Sequence, residues 1–389
     1  MSEIKVNSIK GVGASTAAIT VNNTDGTCTA NITNNLSNRN LIINGAMQVA
    51  QRGTSSTAAG YGTLDRFHQN SVSVDEAPTY SQVDVASGTT PYTLGFRKAI
   101  KITNGNQTSG AGASDIIDIQ QRLEAQDIAN SGWNYTSSSS FITFQFWIKS
   151  SVAQNFFGHL RSIDGTGQNY PFETGSLSAD TWTKVTKTIS GNSNLTFNND
   201  NGEGLRLSWY AFAGTDRTAS SATLNQWAAY DATARTPDQT STWYTTNDAT
   251  LEITGVQLEV GSVATDYEHR SFAQELILCQ RYCQKLGAGN GTYDCMATGN
   301  GVYNTKAYIP YRLMTSMRST PSFTLLGSAS DFYYTRDGGE YAVSNITLDQ
   351  AGLNMVAVLA TVSTGISNDE GIRLYNINNT GGLLFTAEL

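Results

Sequence analysis

The sequence predicts a mainly β protein: a jelly-roll β-sandwich, a short connecting helix and a second, smaller β-sandwich at the C-terminal end. Only 14% of the 389 residues are charged, and there are 36 Gly but 6 Pro. This composition is typical of sheets joined by many tight turns. Apolar and polar residues alternate with a period of two along much of the chain. About eight such strands over roughly 200 residues are typical of a two-sheet sandwich, most simply a jelly roll.

The first element is a short N-terminal segment, residues 1–40. It contains few aromatic residues and many Thr and Asn. A piece of this size cannot bury a core of its own. Residues 1–35 are therefore expected to be dispensable for folding, and the segment is expected to attach the protein to something else.

Residues 41–270 are predicted to form the jelly-roll sandwich. In the clearest strand, apolar residues occupy the even positions from 142 to 148 and alternate with polar ones. This period of two is expected when one face of a strand is buried. Near the end of this domain the apolar residues change parity at Gly255: Leu251, Ile253, Val256, Leu258, Val260. A β-bulge at Thr254–Gly255 would return all five to one face.

Residues 271–286 are predicted to form the connecting helix. Ser271 and Gln274 have the spacing of a capping box, and Gly287 can end the helix in a left-handed conformation. Five apolar residues follow a two-heptad spacing and are the candidates for an interface between copies of the chain: Phe272, Leu276, Cys279, Cys283, Leu286. The same face would equally suit a helix packed on the sheets of its own chain.

Residues 287–389 contain further short strands separated by Gly-rich turns, which predicts the smaller sandwich.

Aromatic side chains in polar loops are candidates for binding sugar, because pyranose C–H groups stack on aromatic rings. The candidates in the last two-thirds of the chain are Trp227, Tyr230, Trp243, Tyr333, Tyr334, Arg336 and Asp337. The aromatic ones could instead cap the ends of the sandwich or pack between subunits.

Composition and motifs argue against several other functions. The net charge of −8 and the lack of a basic run argue against nucleic acid. No apolar stretch reaches the ~18 residues that a membrane span needs. The His and Cys residues lack metal-ligand spacing, and no nucleophile elbow occurs. We therefore expect no catalytic residue, cofactor or metal, and a structural calcium at the oxygen-rich turn 198–203 stays an alternative.

Several stretches resemble a module of tailed-bacteriophage tail-fibre and virion proteins. They are 40–53, 64–67, 120–124, 144–150, 254–261 (TGVQLEVG) and 279–282 (CQRY). Together they cover about residues 40–285. The resemblance implies a jelly roll of carbohydrate-binding-module type, a homotrimer, an N-terminal end fixed to the virion and a distal end facing the host.

The resulting hypothesis is a non-enzymatic tail-fibre protein, assembled in the host cytoplasm and located in the virion. Its N-terminal segment would bind phage tail or portal and adaptor proteins. Its distal end, after Gly291, would bind a host surface polysaccharide or receptor. Two alternatives remain: a glycan-cleaving tailspike, although no 20–30-residue internal period is visible, and a purely structural capsid or collar fibre.

Overall fold

The computed structural model describes residues 6–13, 15, 19–21, 24, 28–30, 38–289, 293–336, 339–362 and 365–389. Strands dominate these residues, and the predicted mainly β class is confirmed. The α-helices within them are α1 (Thr90–Thr93), α2 (Ala125–Ala129) and α3 (Phe272–Gln280). No helix in these ranges is both long and apolar enough to cross a membrane.

A small antiparallel sheet precedes the sandwich. Its three strands are β1 (Ser8–Ile9), β2 (Ile19–Val21) and β3 (Cys28–Ala30). The central strand β2 pairs with both neighbours. Strands β1 to β3 of the N-terminal segment thus form a short meander that is too small to contain a core.

The sandwich is formed by two six-stranded antiparallel sheets. The strands are β4 (Ser55–Ser56), β5 (Phe67–Val72), β6 (Thr79–Asp84), β7 (Lys98–Thr103), β8 (Ile116–Glu124), β9 (Phe141–Ser150), β10 (Asn155–Ser162), β11 (Gln168–Ser176), β12 (Thr183–Ser190), β13 (Glu203–Ala213), β14 (Ala228–Ala229) and β15 (Thr250–Val260). The front sheet has the order β14-β11-β10-β13-β8-β5, and the back sheet has the order β12-β9-β15-β7-β6-β4. The chain changes sheet repeatedly, for example along β8, β9 and β10, as in a jelly roll.

The inward faces of the two sheets meet in an aromatic core. The rings of Phe144, Phe146, Phe172 and Trp209 lie with centroids 5.1–6.0 Å apart, in tilted and edge-to-face arrangements. Such pairs add about 0.5–1.5 kcal/mol each beyond the burial of their area. The apolar residues at even positions of β9 are all buried, so the predicted parity of this strand is confirmed.

The predicted bulge in the closing strand is confirmed as well. The register of β15 against β9 shifts between Thr254 and Gln257. Gly255 has φ 64°, which favours glycine. The apolar residues before and after the bulge, through Leu258, therefore share the buried face, while Val260 at the strand end is exposed.

The connecting helix is shorter than predicted. Its capping box at Ser271 and Gln274 is present, but α3 ends at Gln280. Residues Cys283–Gly287 instead form strand β16, which pairs with the last strand of the chain. Tertiary pairing here overrides a local helical pattern. The predicted two-heptad seam is therefore not one helix face: its last two members, Cys283 and Leu286, lie on a strand.

Burial separates the members of that seam further. Cys279 and Cys283 are fully buried within their own chain, whereas Phe272 is 55% exposed. The apolar residues that α3 leaves on the surface are Phe272, Ile277 and Leu278. Any interface formed by this helix would use those side chains and not the two cysteines.

The C-terminal strands form a closed barrel and a small sheet. They are β17 (Cys295–Tyr303), β18 (Lys306–Arg312), β19 (Ser322–Leu326), β20 (Phe332–Arg336), β21 (Gly339–Ala351), β22 (Met355–Val362), β23 (Gly371–Asn376) and β24 (Gly382–Thr386), with a 3₁₀ turn at Ala329–Asp331. The barrel order is β17-β18-β22-β21-β20-β23, and β16-β24-β19 form the small sheet. Two register shifts in the long strand β21 bend it and help close the barrel, where we expected a second open sandwich.

The last residues of the chain are fixed to the sandwich by buried charges. The carboxylate of Glu388 accepts hydrogen bonds from the guanidinium groups of Arg66 and Arg52, at 2.5 and 2.8 Å. Arg66 also stacks on the ring of Tyr282, 3.4 Å from its centroid. Asp65 lies beside Arg52 at 3.7 Å, and burial raises the pKa of Asp65 to about 6. We call Arg52, Asp65, Arg66, Tyr282 and Glu388 the junction cluster.

Candidate functional site

The outward side of the front sheet carries an unusual set of polar side chains. On β13, Leu205, Leu207 and Trp209 point into the core, so the alternate residues Arg206 and Ser208 point outward. The same parity on β8, β10 and β13 places a set of polar side chains on the outer side of the sheet, which we call the arginine face. Its arginines are partly exposed, whereas five of its other members are buried. Its members are Asp118, Gln120, Arg122, His159, Arg161, Arg206, Ser208 and Tyr210, together with Tyr230 and Arg235 from the 214–240 loop.

Three arginines lie in one row across this face. Arg206 is the cross-strand partner of Arg122 on one side and of Arg161 on the other. Like charges directly opposite each other in a sheet are destabilising. Arg206 forms a bidentate pair with Glu203 at 2.6 and 2.7 Å. Arg122 donates to the backbone oxygen of Leu389 at 2.7 Å.

Arg161 is the least neutralised member of the row. Its guanidinium lies 3.6 Å from the centroid of the Tyr230 ring. It forms no ion pair with the residues that the structure describes, and its Nε has no hydrogen-bond partner among them. Burial, together with the nearby charge of Arg206, lowers the pKa of Arg161. This side chain therefore has unused capacity to bind an anion.

Two histidines lie among the arginines without adding charge. His159 is 3% exposed, and burial, followed by the charges of Arg235 and Arg206, lowers its pKa to about 3. Burial and the charge of Arg122 lower the pKa of His68 to about 4. Both imidazoles are therefore neutral at pH 7.

Neutral His159 makes the protein sensitive to acid. In the unfolded chain a histidine takes up a proton near pH 6.5, whereas His159 in the folded chain does so only near pH 3. Its contribution to stability is present above pH 6.5 and is lost as the pH falls toward 3. The variant His159→Gln should lose about 3 kcal/mol less than the wild type between pH 7 and pH 4. Urea unfolding at both pH values measures this difference.

The matched control is Ser208→Ala, which changes a side chain without a titrating group directly opposite His159 in the sheet. It should keep the acid sensitivity of the wild type. If His159→Gln lost as much stability on acidification as the wild type, His159 would already be protonated in the folded protein.

The charge of the face is opposite to that of the whole chain. Among the described residues, Glu203 pairs with Arg206, and Asp118 lies near Arg206 and Arg235. Asp118 is fully buried, accepts hydrogen bonds from Asn70 and Gln120 at 2.6 and 2.8 Å, and has a pKa that burial raises. In a protein with a net charge of −8, this is a local cationic surface. Such a surface attracts anions and fixes them by charge-assisted hydrogen bonds.

The face also contains a buried hydroxyl without a partner. Ser208 is 1% exposed, lies between Gln120 and His159 in the sheet register, and its Oγ has no hydrogen-bond partner among the described residues. A buried polar group left in this way costs about 1–3 kcal/mol. Unpaired buried groups are rare in folded proteins. Where one occurs, a bound ligand or water is a common explanation.

The structure distributes the predicted sugar-binding residues over several environments. Tyr230 lies on the arginine face. Trp227 is half-buried, donates from Nε1 to the Ser190 oxygen at 2.9 Å and packs on Tyr170. Trp243 is fully buried, and its Nε1 donates to the Thr250 oxygen at 3.0 Å. Trp243 is a core residue and is not available to a ligand.

The four candidates of the last region are also separated. Tyr334 points into the barrel and is fully buried, because neighbouring strand residues face opposite sides. Tyr333 lies on the outer wall, near Tyr375. Arg336 pairs with Glu370 at 2.6 Å. Asp337 lies outside the described residues.

Sequence reasoning missed the arginine row. The alternation of Leu205, Leu207 and Trp209 in the sequence predicts a strand with one buried side, but it does not indicate what the residues between them face. Charged residues are scarce in this chain, so arginines at the outward positions of three neighbouring strands are a signal. The pairing of these strands was not available from the sequence, and the row is visible only once their order is known.

The described residues contain no group of three or more His, Cys, Asp or Glu side chains that could hold a metal ion. At the turn 198–203, the Asp200 carboxylate accepts from the Gly202 amide at 2.9 Å, and Asn198 donates to Asp164 at 2.8 Å. These oxygens serve the turn itself. The turn leads from β12 in the back sheet to β13 in the front sheet and is therefore a connection between sheets, not the hairpin turn that its Asn-rich and Gly-rich sequence suggests.

Comparison with known proteins gives structural likeness only. No protein-family model matches the chain, and no curated protein matches it. Among solved structures, a CBM4 protein is 13% identical, with 57% of this chain and 99% of that chain covered at a TM-score of 0.29. The CBM22-1–CBM22-2 tandem of Xyn10C from Paenibacillus barcinonensis is 9% identical, with 92% and 100% covered at 0.27.

A third match is a family 11 carbohydrate-binding module from Clostridium thermocellum, solved with a mixed-linked tetrasaccharide. It is 10% identical, with 56% of this chain and 98% of that chain covered at a TM-score of 0.25. These TM-scores are too low for the likeness to bear on function.

Proposed function

We propose that this protein is a non-enzymatic fibre of a tailed-bacteriophage virion that binds an acidic glycan of the host surface through its arginine face. The observation that carries the binding proposal is the row of Arg122, Arg206 and Arg161, whose charges are only partly neutralised within the chain. The phage assignment rests on the sequence resemblance across residues 40–285. Attachment of residues 1–40 to tail, portal or adaptor proteins is part of the same proposal.

An acidic saccharide fits this face for two reasons. Guanidinium groups bind carboxylate and sulfate oxygens in a bidentate manner, and the charge-assisted bonds are about twice as strong as neutral ones. Arg161 is already stacked on Tyr230, which limits its rotamers, so less entropy is lost when it binds. The Ser208 hydroxyl lies beneath these side chains at 1% exposure, so it could bind a water molecule but not a sugar ring directly.

The proposal is tested by affinity electrophoresis of the purified full chain in gels containing a polyuronate, with dextran as the neutral comparison. We expect retardation in polyuronate that weakens steeply with added salt, because ion pairing is screened. Equal migration in polyuronate and in a polymer-free gel would overturn the acidic-glycan assignment. Release of reducing ends from the polymer would instead indicate a tailspike. A purely structural fibre would be neither retarded nor active.

The homotrimer also remains a proposal, and the surface of α3 supports it. Ile277 is 56% exposed and lines a groove with Leu278, Val260 and Leu41. Exposed apolar residues clustered in this way are typical of protein interfaces. If three copies meet here, Ile277→Asp would bury one carboxylate per copy and should convert trimer to monomer. Light scattering of the purified protein measures the mass.

The matched control is Met355→Asp, because Met355 is 53% exposed and lies on strand β22 of the C-terminal barrel, not among the residues that line this groove. That variant should keep the mass of the wild type. An unchanged mass for Ile277→Asp would place the subunit contacts elsewhere.

A further inference from the structure

A second groove lies on the outer wall of the C-terminal barrel. It has a volume of about 1090 Å³ and crosses strands β18, β17, β23 and β20. Small-molecule sites usually enclose roughly 300–1,000 Å³, so the groove could hold several sugar rings. Its lining includes Tyr308, Asn300, Thr298, Arg336, Glu340 and Arg373.

The groove owes its depth to Gly371. This residue is the register partner of Asn300 and lines the groove. A Cβ added at Gly371 would meet no atom within 4 Å, and its φ is not in the left-handed region. The backbone thus tolerates a side chain here, and only the groove would lose space. Larger residues would fill the depression without straining the strand.

The walls of the groove combine rings, hydroxyls and amides with balanced charge. Tyr308 and Pro310 project from β18 as partly exposed ring surfaces. The Arg336 guanidinium is held by Glu370 at 2.6 Å and lies 4.7 Å from the centroid of the Tyr341 ring. Arg373 shares the groove with the acidic side chains of Glu340 and Asp369. Two arginines line the groove beside two acidic residues, and Glu370 pairs with one of the arginines, so this groove, unlike the arginine face, has no excess of positive charge.

This balance points to a neutral ligand. A polyanion would meet Glu340 and Asp369, and a polycation would meet the arginines. A neutral sugar chain presents C–H faces to rings and hydroxyls to directional polar groups. Because the ion pair and the ring contact hold Arg336 in place, the donors of this side chain are pre-organised, which lowers the entropic cost of binding.

We propose that this groove is a second saccharide-binding site, specific for neutral polyhydroxylated chains. It does not depend on the arginine face, and it falls in the region after Gly291 where host recognition was expected from the sequence. The residues that define it differ from the predicted set: only Arg336 belongs to both. The site would bind through Tyr308, Asn300, Arg336 and Arg373.

The test uses the full chain and the substitution Gly371→Tyr, which fills the groove. Binding is measured by affinity electrophoresis in dextran, mannan and a neutral galactan, and in the polyuronate used above. The wild type should be retarded by at least one neutral polymer, and Gly371→Tyr should weaken that retardation at least tenfold. Retardation by polyuronate should not change. Tyr308→Ala should weaken neutral binding in the same way.

The matched control is Gly352→Tyr, since Gly352 is an exposed barrel glycine outside the groove with no close contact at its Cβ position. It should bind as the wild type does. The proposal is overturned if the wild type binds none of the three neutral polymers, or if Gly371→Tyr binds them as well as the control does. Loss of polyuronate binding alone would count against the arginine face and not against this groove.

Discussion

Arg66→Met is expected to lower the free energy of unfolding by about 3–5 kcal/mol, because it removes one partner of a buried ion pair. Arg66 is 1% exposed and neutralises Glu388. It also donates to the Arg122 backbone oxygen at 2.5 Å and covers the Tyr282 ring. Methionine fills similar space but supplies neither the charge nor the donors. Glu388 would then depend on Arg52 alone for neutralisation.

Chemical denaturation of the purified chain measures this loss. The control is Arg97→Met, because Arg97 also stacks on a tyrosine, Tyr92 at 3.9 Å, but on the exposed surface. That change should cost less than about 1 kcal/mol. If the two variants unfolded at the same denaturant concentration, the junction cluster would contribute no more than an exposed stack.

The junction cluster also illustrates what the sequence could not supply. Arg52 and Arg66 belong to the start of the sandwich, and Glu388 is the second-last residue of the chain. Nothing local to these residues indicates that they meet. Burial of two arginines is uncommon without such partners, yet neither position stands out from the pattern around it. A contact between residues more than 320 positions apart in the sequence can be seen only in the folded structure.

Periodicity predicted the strands well where one face of a sheet is buried. The alternation in β9 and the parity change at Gly255 were both found in the structure, because they reflect a core on one side and solvent or a loop on the other. The bulge was predictable because a change of parity in an otherwise regular strand has few structural solutions.

The prediction of the connecting helix was wrong in its second half for a specific reason. Its first turn is fixed locally by Ser271 and Gln274, and that part was correct. Residues 283–287 gain a full ladder of hydrogen bonds to Gly382–Thr386. Two cysteines in a heptad pattern resemble an interface, but here a small apolar side chain in the interior meets the same requirement.

Aromatic residues in polar sequence were an unreliable guide to the site. Trp243 stands among Ser, Thr and Asp, yet its ring is in the core and its Nε1 bonds to a backbone oxygen. Loop composition reports the surroundings along the chain, whereas burial depends on which side of the loop faces the sheet. Tyr230 was among the predicted candidates, but its partner Arg161 was not, because Arg161 comes from a strand 69 positions earlier in the chain.

The double substitution Arg161→Gln with Arg206→Gln is expected to weaken binding to polyuronate by at least about 100-fold at low salt, since two charge-assisted hydrogen bonds of about 1.5–3 kcal/mol each are lost. It should also flatten the dependence of binding on salt, because fewer charges are neutralised on binding. The change relieves repulsion within the row but leaves Glu203 without its Arg206 partner, so the folded fraction of the variant is checked by urea unfolding before binding is compared. Retardation by the neutral polymers should stay as in the wild type, provided that the barrel groove is a separate site.

The control Lys101→Gln with Lys184→Gln removes the same charge from the back sheet, so a loss that depended only on net charge would appear in both variants. Equal loss in both would mean that any two positive charges contribute alike and that the arginine face has no special role, whereas a loss confined to the first variant requires the geometry of Arg161 and Arg206 beside Tyr230.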